Sequence, residues 1–263
     1  MTEETSQNGV STPRDAGHWA EPVKKLTTAD VPPGAINLNV AGREVVGPLQ
    51  GFGQLWRKTY RIRLSGTSVT PAEVMEVWKG NFPSFQPPQN RFFPPLTGLD
   101  PGKVIYIDSH LTVVPGLPGA IPIAAGVMVL YADEESFTVM TPQGFPESGW
   151  NTFSAYDDDG CTVAQVQSMA RASDPVYEFG FRFMGGSRHQ EETWRHVLTS
   201  LAGHFGVVGQ VEMRKDCLDP KLQWSQAKSV WHNAGIRTVL FKVTAPLGFL
   251  GKLIKRAGRV VRR

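Results

Sequence analysis

The residues that could do chemistry in this chain are scattered along it rather than grouped into a motif. Gly51 and Gly53 precede a predicted strand, whereas the glycines of a dinucleotide-binding loop follow a strand and open a helix. The sequence contains no HExxH zinc motif, no GxxxxGK[ST] phosphate loop and no GxSxG nucleophile motif. Cys161 and Cys217 lie far apart in the chain, without the close spacing of a zinc site, and we expect two reduced thiols. The sequence therefore predicts no catalytic motif, no cofactor and no metal site.

Two polar residues are candidates for contacting a ligand. His110 lies in a predicted strand, on the face that it shares with Asp108 and Thr112. If that face points into a cavity, His110 could hydrogen-bond a ligand or act as a general base; otherwise it is a histidine on the surface of a strand. Arg91, in a segment rich in phenylalanine, is the residue that we expect to orient a carboxylate or phosphate group.

Aromatic side chains are the candidates for lining a cavity, and their alternative role is to complete the core. Three of them lie in a stretch rich in phenylalanine and proline, two come from a predicted strand, and one belongs to a predicted helix. The predicted aromatic lining comprises Trp78, Phe82, Phe92, Phe93, Trp150 and Phe153.

The first clear element is a strand that begins at Trp56. Tyr60, Ile62 and Leu64 share a face with Trp56, which is the alternation typical of a half-buried strand, and Lys58 is the exception on that face.

A helix is predicted next, with Thr70 as its N-cap, Pro71 at its first position and Glu73 three residues after the cap. An irregular loop is expected over residues 81–102. Strand candidates then follow one another closely up to residue 172, and the run 157–160 (DDDG) is typical of a tight turn between two of them. Neighbouring hairpins of this kind indicate an antiparallel sheet.

A long amphipathic helix follows the strands. Ser187 and Gln190 fit a capping box at its start, and Gly206 is expected to end it. Its apolar residues recur at helical spacing: Trp194, Val197, Leu198, Leu201, Ala202 and Phe205. The order of elements predicts an α+β fold in which an antiparallel sheet wraps around this helix and leaves a cavity between them.

This order, together with the segment FTVMTPQGFPESGWNTFSAYDDDG, resembles the START-like, helix-grip (SRPBCC) superfamily, which includes pollen-allergen-like domains and polyketide cyclases. The phrase GFPESGWNTF is similar to a turn in an uncharacterised bacterial and plant branch of that superfamily. The resemblance covers residues 55–207. It implies a cavity that binds apolar small molecules, and catalysis in only some members. No catalytic residue can be carried over from it.

The C-terminal 44 residues differ from the rest of the chain in charge. Residues 220–263 contain ten Lys or Arg and no Asp or Glu, which leaves a net charge of −7 on residues 1–219. Their last part has the pattern of a cationic amphipathic helix, which suits an anionic membrane surface. The alternatives are docking on the domain or on a second subunit and, least favoured, nucleic-acid binding. The predicted membrane-binding residues are Phe249, Lys252, Lys255, Arg256, Arg259, Arg262 and Arg263.

Three segments are therefore expected: a disordered or loosely packed segment over 1–50, a START-like helix-grip domain over 51–219 and a basic amphipathic tail over 220–263. The N-terminal residues lack the apolar core of a signal peptide, so we expect a cytoplasmic protein that associates peripherally with a membrane. The favoured function is non-enzymatic binding or carriage of an apolar small molecule or lipid. The alternatives are a cyclase- or hydratase-like enzyme that uses the same cavity, with His110 and Arg91 as its polar groups, and a protein-interaction module that uses the tail.

Overall fold

The computed structural model of the protein describes residues 16–28, 31–112 and 120–244. Nine strands are present in these residues: β1 (Val45–Val46), β2 (Leu55–Arg63), β3 (Asn90–Phe93), β4 (Val104–Thr112), β5 (Ala120–Ala132), β6 (Ser136–Pro142), β7 (Glu147–Asp158), β8 (Cys161–Ala172) and β9 (Glu212–Asp219). The α-helices are α1 (Pro71–Gly80), α2 (Pro175–Phe183), α3 (Gly186–His204) and α4, which covers residues 234–244.

All nine strands belong to one antiparallel sheet in the order β3-β4-β5-β6-β7-β8-β2-β9, with β1 paired to β6. Strands that follow each other from β3 to β8 pair as hairpins, as the closely spaced strand signals predicted. The predicted β7–β8 turn is present: Asp159 and Gly160 both have positive φ, and the Gly160 amide donates to Asp157 Oδ1 at 3.1 Å.

The predicted start of α1 is confirmed in detail. The backbone amide of Glu73 donates to the Thr70 hydroxyl oxygen at 3.3 Å, while the backbone amide of Thr70 donates to the Glu73 carboxylate at 2.7 Å. Val74, Met75 and Trp78 form the buried side of this helix, which packs on β7 and β8.

The long helix α3 lies along the same inner face of the sheet, against β2, β4 and β8. Val197, Leu198, Leu201 and Ala202 are each fully buried, so the apolar stripe of the sequence is the contact surface. A sheet wrapped around a long helix in this way confirms the predicted α+β helix-grip fold.

The capping box predicted at Ser187 is wrong. The N-cap is Gly185, two residues earlier, in the left-handed region (φ 77°), and the helix begins at Gly186. The Gln190 side chain makes tertiary hydrogen bonds with two other elements instead of capping the helix.

The elements that were not predicted include α2, α4, β3 and β9. β3 lies within the segment expected to be an irregular loop, because Phe92 and Phe93 pair with Ile107 and Tyr106 of β4. β9 follows α3 and pairs with β2; its charged sequence gave no strand signal, since most of its side chains are exposed at the edge of the sheet.

The segments on either side of the predicted domain contact the sheet where the structure describes them. Leu26 and Val40 are buried on the outer face with Val104, Tyr106 and Met128. Residues 224–232 form a 3₁₀ helix that leads into α4. Ala234 and Thr238 of α4 are fully buried, and the Thr238 hydroxyl accepts a hydrogen bond from the backbone amide of Ala124 in β5 at 3.1 Å. Division of the chain at residues 50 and 219 stays a prediction.

Candidate functional site

A cavity of about 140 Å³ lies between the inner face of the sheet and the two helices α2 and α3. Its wall is mostly apolar. The side chains that dominate it are Phe92, Ile107, Val127, Val139, Phe153 and Trp194.

Aromatic rings pack tightly along one side of this cavity. Phe153 stacks on Phe137 with 4.5 Å between the ring centroids, and the rings of Phe82 and Trp194 meet Phe153 edge-on at 5.4 and 5.6 Å. Such edge-to-face pairs add about 0.5–1.5 kcal/mol each beyond the burial of their area. The rings therefore form a rigid apolar wall.

Polar groups on three different elements meet at the end of the cavity. Lys58 of β2 is 5% exposed, and its Nζ donates to Gln190 Oε1 at 2.5 Å and to Ser187 Oγ at 3.5 Å. The Gln190 amide nitrogen donates in turn to a carboxylate oxygen of Glu147, the first residue of β7. Gln190 thus bridges the two charged groups. Its amide oxygen accepts from the Lys58 ammonium, and its amide nitrogen donates to the Glu147 carboxylate. We call Lys58, Gln190 and Glu147 the polar chain.

Burial acts on both charged groups of the polar chain. It raises the pKa of the Glu147 carboxyl above its usual value, against the opposing effects of the Lys58 charge and of the hydrogen bond from Gln190. It lowers the pKa of the Lys58 ammonium, which the negative charge of Glu147 only partly offsets. Glu147 keeps some accessible surface, and it borders both the apolar cavity and a polar cleft of about 230 Å³ on the Lys58 side. The carboxyl group of Glu147 therefore lies between the apolar cavity and the polar cleft.

The wall of the cavity also includes polar groups whose hydrogen-bonding capacity is unused. Asn151 Oδ1 and Trp194 Nε1 are both buried, and neither has a hydrogen-bond partner among the described residues. Buried polar atoms are usually paired. Because both atoms have almost no accessible surface, a ligand that carries a hydroxyl or amide group pairs with them only if their side chains turn toward it.

Three of the eight predicted ligand-binding residues line the cavity: Phe82, Phe92 and Phe153. Trp78 lies behind them, fully buried, with its ring edge-on to Phe153 at 5.5 Å. It supports the wall and belongs to the core.

The other predicted ligand-binding residues lie on the opposite face of the sheet. Ile107 and Ser109 of β4 face the cavity, so His110 points outward, and it is exposed. In β3, Phe92 faces inward, and alternation therefore directs its two neighbours outward.

Those neighbours are Arg91 and Phe93. The Arg91 guanidinium lies 5.2 Å from the Phe93 ring centroid, on the side covered by the N-terminal segment. Trp150 is an odd number of residues from Phe153 and is likewise on the outer face, where it approaches Gly47. The sequence analysis grouped these residues because they are close in the chain. It did not take into account which face of the strand each side chain occupies.

The polar chain was not predicted from the sequence, although each of its three residues stands out there in some way. Lys58 interrupts the apolar face of β2, and a buried lysine on such a face needs a partner. Glu147 is the acidic residue of the GFPESGW phrase. Gln190 was assigned to a helix cap, which hid its tertiary role.

The predicted membrane-binding residues, from Phe249 to Arg263, lie outside the described residues. Within the described part of the chain, no helix is long and apolar enough to cross a membrane, and no three His, Cys, Asp or Glu side chains are grouped to hold a metal ion.

Comparison with known proteins gives structural likenesses only. No protein-family model matches the chain, and no curated protein sequence matches it significantly. A START superfamily protein from Mycobacterium smegmatis is 15% identical, with a TM-score of 0.38 over 58% of this chain and 97% of that one. Ara h 8.0201 is 14% identical, with a TM-score of 0.37 over 56% of this chain and 97% of its own.

A third similar structure is the di-domain ARO/CYC StfQ from the steffimycin biosynthetic pathway. It is 9% identical, with a TM-score of 0.42, and the match covers 59% of this chain and 53% of StfQ. We draw no functional conclusion from likenesses at this level. The sheet order and the position of α3 give the chain an α+β helix-grip fold.

Proposed function

We propose that the protein binds a compact, mainly apolar molecule in the cavity between the sheet and α3. The observation that carries this proposal is an aromatic cavity whose wall also holds a buried acceptor, a buried donor and the polar chain. An apolar wall with a few placed polar groups is typical of small-molecule sites.

The size of the cavity restricts the ligand. Its volume of about 140 Å³ is below the ~300–1,000 Å³ usual for drug-sized ligands and close to the ~150 Å³ of an engineered cavity that binds benzene. A molecule built on one ring fits this space, whereas a whole lipid would require the aromatic wall to open. We therefore narrow the expected ligand to a single-ring compound with a hydroxyl or amide group.

A titration with small probes tests this proposal. Calorimetry should show that phenol binds and that benzene binds more weakly, because benzene leaves Asn151 Oδ1 and Trp194 Nε1 unpaired. Val139→Phe, opposite Asn151 in the β6–β7 pairing, should fill the cavity and weaken phenol binding at least about tenfold. Thr138→Phe adds the same bulk to the outer face of β6 and is the matched control. Equal phenol affinities for the two variants would disprove binding in this cavity.

The carboxyl of Glu147 supports a second candidate function, an enzyme that moves a proton on the bound molecule. A carboxyl whose pKa is raised by burial is suited to general acid–base catalysis. In this function Glu147 takes the role that the sequence argument gave to His110 and Arg91. Acetophenone in D₂O offers a direct test by proton NMR: the wild-type protein would accelerate loss of its methyl signal, and Glu147→Gln would not.

We also propose that the basic C-terminal segment brings the protein to an anionic membrane. Support comes from the six Lys or Arg among residues 245–263, which contain no acidic residue. Each basic residue near such a surface contributes about 1 kcal/mol. Reversing the charges of Lys252, Lys255 and Arg256 to Glu should abolish pelleting with vesicles that contain phosphatidylserine.

A further inference from the structure

Two helices of the described structure expose apolar side chains that the rest of the protein leaves uncovered. In α2, Phe179 and Phe183 are 56% and 69% exposed and lie on one face with Val176. In α4, Leu240 and Val243 are 57% and 62% exposed. Residues of these types are usually buried, and clusters of them on a surface indicate an interaction site.

The two helices meet at their first turns. The Tyr177 hydroxyl oxygen accepts a hydrogen bond from the backbone amide of Gly235 at 2.9 Å, and the Asn233 side-chain amide donates to Asp174 Oδ2 at 2.8 Å. The exposed apolar side chains thus belong to two helices held together by buried hydrogen bonds. This α2–α4 surface comprises Val176, Phe179, Phe183, Ile236, Leu240 and Val243.

The α4 helix is apolar on several sides. Thr238 is on the side buried against the sheet, yet Ile236, Leu240, Phe241 and Val243 are all exposed elsewhere around the helix. Apolar side chains exposed on more than one side of a helix are normally covered by protein or lipid.

The charged residues around this surface indicate which kind of partner it binds. Lys228, Arg237 and Lys242 lie on or beside α4, and the chain continues from α4 into the basic residues 245–263, with no acidic residue from 220 onward. Glu178, the acidic residue of α2, is almost fully buried and forms an ion pair with Arg182. A surface with exposed apolar side chains, cations that form no ion pair with the described residues and a carboxylate that is already paired is complementary to anionic lipid.

We propose that the α2–α4 surface docks on an anionic lipid bilayer, with its phenylalanine and aliphatic side chains inserted among the lipids. The inference rests on the proposed membrane association of the tail and extends it to the folded domain. It also orients the cavity: Phe181, next to the inserted residues on α2, lines the ligand cavity. α2 thus contributes side chains both to the docking surface and to the wall of the ligand cavity.

Vesicle binding of the full-length protein tests this docking. The vesicles are phosphatidylcholine alone or a mixture with phosphatidylserine, and the bound fraction is measured by sedimentation. Two variants remove the surface one helix at a time: Phe179→Ser with Phe183→Ser on α2, and Leu240→Ser with Val243→Ser on α4. The control, Leu49→Ser with Leu96→Ser, removes side chains that are 77% and 89% exposed elsewhere on the protein.

We expect the wild-type protein to bind the mixed vesicles and each surface variant to lose affinity at least about tenfold, because burial of a phenylalanine or of two aliphatic groups contributes that factor or more. The control should bind like the wild type, and all variants should retain phenol binding.

The other outcomes overturn the proposal and distinguish membrane docking by the α2–α4 surface from membrane binding by the tail. Full binding by both surface variants, with loss only on reversal of Lys252, Lys255 and Arg256, would leave the tail as the membrane anchor and remove the docking surface. Failure of the wild-type protein to bind either vesicle would overturn both. A dimer that the surface variants dissociate, without vesicle binding, would assign the surface to a second copy of the chain. Reduced thermal stability of the surface variants, with vesicle binding unchanged, would show that the protein's own residues cover it.

Discussion

Replacement of Glu147 by glutamine should stabilise the folded protein at pH 7. Two effects oppose each other at this carboxylate: burial disfavours its charge, and Lys58 together with the Gln190 amide favours it. Because the pKa of Glu147 is raised in the folded state, burial outweighs the attraction. Glutamine has nearly the same shape, can keep a bond with Gln190 and carries no charge. The raised pKa already includes the attraction of Lys58, so charging the buried carboxyl has a net cost, and its removal should increase the free energy of unfolding at pH 7.

The gain should depend on pH in a defined direction. A carboxyl whose pKa is higher in the folded state than in the unfolded chain gives up stability as the pH rises from its usual value of 4.5 through the raised value. Below pH 4.5 the wild-type carboxyl is protonated in both states and behaves like glutamine. The difference between Glu147→Gln and the wild type should therefore be small at pH 4, grow as the pH rises through the raised pKa and stay constant above it.

Urea unfolding between pH 4 and pH 8 measures this difference. Glu134→Gln, at an exposed glutamate, is the control and should change the free energy of unfolding by less than about 0.5 kcal/mol. Adding Lys58→Met to Glu147→Gln should increase the gain, since burial also lowers the pKa of Lys58 and its charge is left unpaired. Loss of stability in Glu147→Gln at pH 7 would refute the reasoning, because it would mean that the attraction within the polar chain exceeds the cost of burial.

Two further predictions concern the attachment of α4. A Cβ at Gly144 would overlap the carbonyl group of His232, and Gly144 has a φ of 90°, so Gly144→Ala should cost about 2 kcal/mol or more and accelerate hydrogen exchange in α4; unchanged exchange there would contradict the packing described. Asp174 caps α2 and accepts a buried hydrogen bond from Asn233, so Asp174→Ala should lower the free energy of unfolding by about 2–3 kcal/mol. Asp174→Asn retains an N-cap oxygen but turns a second NH2 group toward the Asn233 amide, so it should recover only part of that loss; an Asp174→Ala protein as stable as the wild type in urea would exclude the capping role.

The elements that follow from local pattern could be predicted from the sequence. The α1 cap at Thr70, the β7–β8 turn at Asp159 and Gly160 and the apolar stripe of α3 depend on residues close together in the chain, so spacing alone indicates them. The order of these elements was enough to predict a sheet wrapped around a helix.

The functional site could be predicted only in part, because it depends on which face each strand turns inward. Parity within a strand separates Phe153 from Trp150 and Phe92 from Arg91, but the sequence does not say which parity faces the helix until the strands are paired. The polar chain joins residues from β2, β7 and α3, and contacts between distant segments leave no local spacing. Lys58 was visible as an exception in its strand, yet its partners Gln190 and Glu147 emerge only from the packing.

The location of a bound probe tests the central proposal most directly. Methyl NMR of valine-labelled protein during a phenol titration reports on side chains in different parts of the molecule. We predict saturable shifts at Val127 and Val139, which line the cavity, and unchanged signals from Val208 and Val243, which are exposed elsewhere. Shifts confined to the exposed valines, with Val127 and Val139 unaffected at saturation, would contradict ligand binding between the sheet and α3.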